Sequence, residues 1–228
     1  MRLIIKGKEP ESLRLFRTST PNPTYDGYIN KEHVRSALIS EQKGICAYCM
    51  QRINDEWDNR SNKFRTEIEH YKSQDNFPEL SLDFNNMLAV CNGNQGNPQH
   101  LMHCDKSKDA EKHKKYLPLT LNPLLAHSVE QIKYRKDGFI YSDNEQINLE
   151  LDKVLNLNQQ TLKNNRKYAI DAAFAELDKR HGNSSWKLSV VQKVRDEWDA
   201  ENNGLYEPYC QAVIYHLDKK IRQLSNTK

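Results

Sequence analysis

Four cysteines in the first half of the chain constrain its fold more than any other feature of the sequence. Cys46 and Cys49 form a C-x-x-C pair, and Cys91 and Cys104 follow it. Two thiolates at this spacing can reach one tetrahedral Zn²⁺ at ~2.3 Å each. In a reducing compartment such cysteines are metal ligands or core residues more often than disulfides. The pattern therefore predicts a structural zinc site made by these four residues.

Two alternatives to this interpretation stay open. His103 or His100 could replace Cys104 as the fourth ligand, because both lie in the Asn/Gly-rich segment that follows Cys91. A C-x-x-C pair can also be a redox pair. That chemistry favours a first cysteine at a helix N-terminus after a strand, whereas here a predicted helix precedes the pair.

Composition indicates a folded protein outside the membrane. The chain has 228 residues, 29% of them charged, and a mean hydropathy of -0.90. Apolar and aromatic residues nevertheless recur throughout, which argues against disorder. We find no signal-peptide core and nothing close to the ~20 apolar residues of a membrane helix. We therefore expect a cytoplasmic protein with no membrane partner.

Local patterns predict an α+β fold in three parts. Residues 1–44 are expected to form a short strand and a helix, residues 45–117 a small zinc-stapled unit, and residues 118–228 a mainly α-helical part. The expected elements are a helix over 31–42, extended pieces over 45–53, 64–71 and 87–91, a short helix ending near 116, a hairpin over 132–141, and helices over 162–177, 186–198 and 209–224. Asp137-Gly138 suits the turn of the hairpin.

A Glu-His pair lies between the two halves of the cysteine set. Glu69 offers a hard oxygen ligand suited to Mg²⁺ or Mn²⁺, and His70 has a side-chain pKa near neutrality and can take a proton from water. Phosphodiester hydrolysis needs both functions. The dipeptide alone would be an ordinary surface pair, but the cysteine frame around it indicates a catalytic centre.

The order of these motifs resembles the HNH endonuclease superfamily. The matching pieces are the C-x-x-C pair, Glu69-His70, Asn86 five residues before Cys91, and the segment Cys104-Asp-Lys-Ser-Lys108. The resemblance covers about a third of the chain and implies a zinc-stapled ββα-metal core. It implies that Glu69 and a residue at the start of the following helix bind one catalytic divalent metal, that His70 is the general base, and that Asn86 braces the loop that orients it.

Two positions depart from the pattern of that superfamily. The helix position matches Asp105, where many members have Asn or His, so His103, Asp109 or His113 are alternatives for the third catalytic residue. The second cysteine pair is expanded into the long interval from Cys91 to Cys104. This leaves the expected zinc geometry less defined than the Glu-His pair.

A narrower resemblance is to the PtuB group, the HNH subunit of Septu antiphage systems, which is also found with some retrons. It rests on three segments, which are Gly44-Ile-Cys-Ala-Tyr-Cys49, Leu119-Thr-Leu-Asn-Pro123, and Val154-Leu-Asn-Leu-Asn158 leading to Leu162 and Arg166. The resemblance implies a PtuA-like partner, an ATPase related to ABC and SMC proteins. A retron reverse transcriptase and its msDNA are further expected partners.

Lysines cluster directly after the fourth cysteine. The members of this cluster are Lys106, Lys108, Lys112, Lys114 and Lys115. Such a patch could neutralise phosphates, although a charge run is also what a solvated helix face contains. The formal net charge of +3 is too small to prove a nucleic-acid partner.

The sequence thus predicts a metal-dependent nuclease that acts on nucleic acid, with DNA expected. One alternative is an RNA nuclease, for example against transfer RNA, because the centre acts on the phosphate and does not itself read the sugar. A second alternative is a zinc-dependent nucleic-acid-binding module without catalysis. A third is a structural subunit whose helical half matters more than its active site.

Overall fold

The computed structural model describes residues 1–59, 63–181 and 185–226. The helices and strands in chain order are α1 (Glu11–Ser19), α2 (Lys31–Glu41), β1 (Trp57–Asp58), β2 (Lys63–Phe64), β3 (Thr66–His70), β4 (Met87–Cys91), α3 (Asp105–Lys108), α4 (Ala126–Val129), β5 (Lys133–Tyr134), β6 (Ile140–Tyr141), α5 (Glu145–Leu149), α6 (Gln160–His181), α7 (Leu188–Asp199) and α8 (Cys210–Ser225). Turns of 3-10 helix lie at Pro78–Leu80, Phe84–Asn86, Gln99–Leu101 and Glu111–Tyr116, and Glu150–Val154 is π-helical. The described residues therefore form an α+β structure with small two-stranded sheets.

The antiparallel pair β3–β4 separates two sites. Thr66 lies opposite Cys91 at one end of the pair, and His70 lies opposite Met87 at the other end. Every residue of β4 is buried, as an unbroken apolar run in a strand requires. The side chain of Gln42, just after α2, accepts a hydrogen bond from Ala89 N at 2.7 Å and donates to Ala89 O at 2.8 Å. Ala47 N also donates to Ala89 O at 3.1 Å, so the hairpin that carries the Glu-His pair is bonded to the segment of the first cysteine pair.

The segment after α2 folds as a tight turn around the C-x-x-C pair. Ile45 and Arg52 form an isolated antiparallel bridge, and Met50 N donates to Cys46 O at 3.1 Å. Met50 has a φ of 64°, a left-handed conformation. The expected extended piece over 45–53 is therefore reduced to one bridge, because the backbone turns back to present both thiols.

Helices α6, α7 and α8 and the hairpin β5–β6 are the main elements of the C-terminal half. α7 packs along α8, α6 packs against both, and β5 contacts α8. The hairpin turn is where the sequence predicts it. Gly138 has a φ of 84°, and a Cβ atom there would lie 2.0 Å from Lys163 O. Only glycine therefore fits at this turn.

Residues 155–158 join this half to the segment around Cys104. Cys104 N donates to Leu155 O at 2.9 Å, and the Asn156 side chain donates to Met102 O at 2.7 Å. The Asn158 side chain pairs with Ile140 N and O at 2.9 and 3.0 Å. Leu157 O accepts a hydrogen bond at 2.6 Å from the buried guanidinium of Arg166 in α6. One short segment thus fixes the loop of the fourth cysteine against the hairpin and the helices.

Two sequence expectations need correction. The first 44 residues contain no strand, and the opening segment instead carries helix α1, which begins after Pro10 and buries Leu13. The short helix expected after Cys104 is divided into α3 and the 3-10 turns of Glu111–Tyr116, with Ala110 in a non-helical conformation between them. The expected helices over 31–42, 162–177, 186–198 and 209–224 are confirmed within a few residues.

No helix in the described part of the chain combines the length and the apolar character that crossing a bilayer requires.

Candidate functional site

The four predicted cysteines converge on one point. Their Sγ atoms all lie within 4.8 Å of one another, and all four side chains are buried. The Sγ atoms of Cys46 and Cys104 are 3.9 Å apart, and those of Cys49 and Cys91 are 3.8 Å apart. Tetrahedral ligands at ~2.3 Å from a zinc ion are separated by about 3.8 Å. The cluster can therefore hold one metal ion such as zinc.

The thiols of this cluster differ in acidity. Burial opposes ionisation of Cys46, but hydrogen bonds from the thiols of Cys104, Cys49 and Cys91 hold the pKa of Cys46 well below its ordinary value. Burial, followed by the hydrogen bond to Cys46, raises the pKa of Cys104 well above it. A bound cation stabilises the thiolate form of the ligands.

The two histidines that the sequence offers as alternative zinc ligands lie outside the four-sulfur group. His103 is buried beside it, with Nδ1 at 3.2 Å from Cys104 Sγ and 3.9 Å from Cys91 Sγ. His100 is exposed. The described geometry favours Cys104 as the fourth ligand and places His103 as a neighbour that can donate a hydrogen bond to ligand sulfur.

His70, at the other end of the hairpin, has a defined ring orientation. Its Nε2 lies 2.9 Å from Ser81 O, and the edge of the Tyr25 ring meets it with centroids 4.6 Å apart. A carbonyl oxygen only accepts, so Nε2 carries the proton and Nδ1 holds the lone pair of the neutral ring. Burial lowers the pKa of His70, which favours that neutral form.

Asn86 connects the two sides of the loop between β3 and β4. Its Oδ1 accepts a hydrogen bond from Lys72 N at 2.9 Å. Its Nδ2 donates to Lys72 O at 2.9 Å and to Leu80 O at 3.2 Å. Leu80 directly precedes Ser81, the residue that holds the His70 ring, so the Asn86 amide fixes the backbone on which this ring depends.

Glu69 and Asp105 form a buried acidic pair around Lys108. The Lys108 ammonium contacts Glu69 Oε1 directly and lies 3.6 Å from Asp105 Oδ1. Tyr48 donates to Glu69 Oε1 at 3.0 Å. Burial and then the charge of Asp105 raise the pKa of Glu69 well above its usual range. Glu67, Glu69 and Asp105 share the ammonium groups of Lys106 and Lys108, so this cluster is one positive charge short of neutrality.

The shortage of positive charge around these carboxylates is most evident at Asp105 Oδ1. It is buried and has no hydrogen-bond partner among the residues that the structure describes. The 3.6 Å separation from Lys108 is too long for a hydrogen bond. Buried carboxylate oxygens without a partner are costly, and a bound cation removes that cost.

The other candidates for the third catalytic position are placed differently. His113 is buried with Nδ1 at 2.7 Å from Ser107 O, so this ring nitrogen donates to the backbone. The Asp109 side chain is 58% exposed and lies 4.0 Å from the Lys108 ammonium. His103 belongs to the surroundings of the cysteine cluster. Asp105 is therefore the residue of this set that the fold brings to Glu69.

A cleft of about 560 Å³ opens over this pair, with His70 in its wall. Its lining contains five carboxylates and three lysines, which give a formal charge of −2 with His70 neutral. The five carboxylates are those of Glu67, Glu69, Asp75, Asp105 and Asp109. A phosphate group would be repelled from such a cleft unless a cation were present.

The five clustered lysines divide into two groups. The ammonium of Lys108 is buried between carboxylates, and that of Lys106 contacts Glu67 and lies 3.4 Å from Asp105. Neither presents its charge to solvent as the sequence interpretation assumed. The three further along, Lys112, Lys114 and Lys115, are exposed, and they remain the predicted phosphate contacts.

Sequence reasoning missed Lys108 as a partner of the acidic pair and Tyr48 as a donor to Glu69. The i, i+3 spacing of Asp105 and Lys108 in a helix was a signal for the first. Nothing local in the sequence pointed to the second, because Tyr48 and Glu69 are 21 residues apart.

Comparison of the chain with protein-family models finds no match, and comparison with curated proteins finds none either.

Proposed function

We propose that this chain is a metal-dependent endonuclease of the HNH type, in which His70 activates water to hydrolyse a phosphodiester bond. One observation carries the proposal. The wall of a single cleft contains a histidine with one ring nitrogen fixed to the backbone, the carboxylate of Glu69 next to it in the chain, and the buried Asp105 carboxylate, whose Oδ1 lacks a hydrogen-bond partner among the described residues.

The state of the His70 ring supports its role as general base. Donation from Nε2 to Ser81 O fixes the tautomer and leaves Nδ1 as the nitrogen that can accept a proton. A general base must be neutral before the reaction, and the burial of His70 favours that form. Asn86 would act as a positioning residue through Leu80 and Ser81.

The acidic pair fits a hard divalent cation. Glu69 and Asp105 supply carboxylate oxygens, the ligands that Mg²⁺ and Mn²⁺ prefer, and Asp105 Oδ1 lacks a hydrogen-bond partner within the described residues. A cation bound there would stabilise negative charge on the scissile phosphate and on the leaving oxygen. It would also offset the formal charge of −2 in the cleft, which otherwise opposes entry of a phosphate.

The order of elements supports the HNH assignment. Two antiparallel strands carry Glu69-His70 and Cys91, and the short helix α3 begins at Asp105. This is the order that a ββα-metal core requires. Zinc at the cysteine cluster would stabilise the scaffold, because so small a unit gains from a closed metal site the folding energy that burial alone does not supply.

Cleavage of supercoiled DNA with added Mg²⁺ or Mn²⁺ tests the proposal. We expect His70→Ala to lower the cleavage rate by about 10²–10⁴-fold, the usual contribution of a general base. His127→Ala is the matched control, since His127 is exposed and outside the cleft. Zinc content should be the same in both variants. Unchanged cleavage by His70→Ala would rule out the proposed role.

The same assay separates the alternatives. A module that only binds nucleic acid would retard DNA in gels under every metal condition without shortening it. A nuclease acting on RNA would cleave transfer RNA or single-stranded RNA and leave DNA intact, with the same dependence on His70.

We also propose, from the resemblance to the PtuB group, that the chain acts with an ATPase of the ABC/SMC type as an antiphage nuclease. Co-purification of such a partner from the native host tests this. Phage resistance that His70→Ala leaves unchanged would instead favour a structural subunit.

A further inference from the structure

A second cleft lies among the C-terminal helices, apart from the catalytic residues. Its volume is about 470 Å³, and it shares no lining residue with the cleft of Glu69 and His70. Phe174 of α6, Trp186 ahead of α7 and Tyr215 of α8 contribute aromatic rings to its wall, and all three are half-buried. We call this cleft the aromatic groove.

Four cations line the aromatic groove together with these rings. They are Arg135, Lys136, Lys219 and Lys220. None of the four forms an ion pair with a carboxylate anywhere in 1–59, 63–181 or 185–226, and the groove lining contains no Asp or Glu. Four positive charges in one cleft exceed the formal net charge of +3 of the whole chain. The occupant of this cleft is therefore expected to be an anion.

Three of the four cations lie close to aromatic rings of the lining. Lys220 Nζ is 5.1 Å from the centroid of the Trp186 ring, Lys136 Nζ is 5.8 Å from that of Phe174, and Arg135 Cζ is 5.4 Å from that of Tyr141. The Trp186 indole N–H donates to Asp178 Oδ1 at 3.0 Å, which fixes the ring plane. Oriented rings with cations beside them are what a base and its phosphate need together.

One polar atom at this wall is unsatisfied. His216 lines the aromatic groove and is 8% exposed, and its Nε2 has no hydrogen-bond partner in the described part of the chain. The carboxylate of Asp218, two residues along the chain from His216, pairs with Arg195 at 3.1 Å. This buried nitrogen is therefore a polar group beside the groove with unused hydrogen-bonding capacity among the described residues.

We propose that the aromatic groove binds single-stranded nucleic acid, with bases stacked on Trp186 and Tyr215 and phosphates held by the four cations. Stacking requires exposed base faces, which a duplex covers. This inference goes beyond the proposed cleavage. The aromatic groove would bind the strand, which the negatively charged catalytic cleft does not do by itself.

Binding of labelled oligothymidylate, measured by fluorescence anisotropy without added Mg²⁺ or Mn²⁺, tests the groove independently of cleavage. We expect Trp186→Ala and the double variant Lys219→Glu/Lys220→Glu each to weaken binding at least about fivefold. Trp57→Ala and Lys179→Glu/Lys193→Glu are the matched controls, because they remove an exposed tryptophan and reverse two exposed lysines outside the groove.

Unaltered binding by the lysine pair variant, which changes only the surface, would overturn the proposal even if Trp186→Ala failed to fold. Equal affinity for a duplex of the same sequence, or equal competition by polyglutamate, would also overturn it. The second result would point to an acidic protein segment. Oligouridylate in parallel distinguishes RNA from DNA. Weaker binding by the groove variants supports the groove even if the wild-type protein cleaves nothing, so the two proposals can fail separately.

Discussion

The side chain of Asn86 is hydrogen bonded to both backbone groups of Lys72, accepting from its N–H and donating to its carbonyl, each at 2.9 Å. The backbone carbonyl of Asn86 also accepts from Tyr71 N at 2.9 Å. The residues just after His70 are therefore held to the start of β4 through one amide side chain. The conformation of the loop between β3 and β4, which Asn86 fixes, therefore helps to determine the position of His70, the proposed base.

Replacing Asn86 by alanine removes the partner of three backbone groups. Each lost hydrogen bond of this kind costs on the order of 1 kcal/mol, so we expect Asn86→Ala to lower the free energy of unfolding by roughly 2–3 kcal/mol. Cleavage should fall by more than this loss of folded protein explains, because the His70 ring loses its support. Urea unfolding and single-turnover cleavage at a temperature where both proteins are folded measure the two effects.

Asn85→Ala is the control for that change. The Asn85 side chain is exposed, and its one side-chain partner among the described residues is Asp83, at 3.1 Å. The free energy of unfolding of this variant should lie within about 0.5 kcal/mol of the wild-type value, as is usual for surface substitutions. Equal cleavage rates for the two folded variants would show that Asn86 does not position the base.

The cysteine cluster makes a prediction about metal content. Cys104→Ser should lose bound zinc and unfold at a lower temperature, because a closed thiolate site contributes directly to folding. Cys210→Ser is the control, since Cys210 is buried but lies outside the four-sulfur group. Elemental analysis of the purified proteins and thermal unfolding are the measurements.

His103→Ala tests the alternative ligand. With His103 as a neighbour of the ligand sulfur, the variant should keep one zinc per chain and release it faster to a chelator. Full loss of zinc in His103→Ala, together with retention of zinc in Cys104→Ser, would show that His103 is the fourth ligand and Cys104 is its neighbour.

Sequence periodicity predicted the elements whose burial decides their conformation. Thr66–His70, Met87–Cys91 and the three long C-terminal helices carry apolar residues at spacings that suit one conformation, and the structure contains them. Helix α1 was missed because its buried stripe is short and its neighbours Pro10, Pro21 and Pro23 are typical of loops.

The candidate site was predicted as far as residue type and order permit. Cys46, Cys49, Cys91 and Cys104 share a chemistry that few other groups offer, so their convergence was expected. The contacts of Glu69 with Tyr48 and Lys108 depend on how distant segments pack, and the sequence contains no periodic signal for them. A lysine in a basic run was interpreted as a surface residue, whereas Lys108 is buried because it pairs with the acidic pair.

Arg166 should stabilise the contact between the segment around the cysteine cluster and the C-terminal helices. Its guanidinium is buried and donates to Gly138 O and Leu157 O, both at 2.6 Å. It also lies close enough to Cys49 and Cys104 to interact with their charge. Arg166→Met leaves two buried carbonyls unpaired, so we expect it to lower the free energy of unfolding by roughly 3 kcal/mol and to speed zinc release to a chelator.

Lys167→Met on the same helix is the control for Arg166. Lys167 is exposed, and within the part of the chain that the structure describes its ion-pair partner is Asp171. Stability and zinc release should both stay near wild type, because exposed ion pairs contribute at most about 1 kcal/mol. Identical zinc release from the two variants would restrict Arg166 to a role in packing.

Lys108 gives the most direct test of the proposed catalytic metal. Its ammonium neutralises part of the pair formed by Glu69 and Asp105, so it competes with any cation that binds there. In Lys108→Met the two carboxylates lose that partner. We expect the variant to be less stable than wild type in the absence of divalent ions, and Mg²⁺ or Mn²⁺ to raise its thermal midpoint by more than it raises that of wild type.

The comparison needs a lysine whose loss changes net charge alone. Lys112 is exposed, and Lys112→Met removes the same charge outside the acidic pair. Its response to Mg²⁺ and Mn²⁺ should equal that of wild type. Asp105→Asn in the Lys108→Met background should abolish the extra stabilisation, because the carboxylate oxygen that lacks a hydrogen-bond partner is then gone. Equal shifts of the thermal midpoint in Lys108→Met and Lys112→Met would show that no divalent ion binds between Glu69 and Asp105.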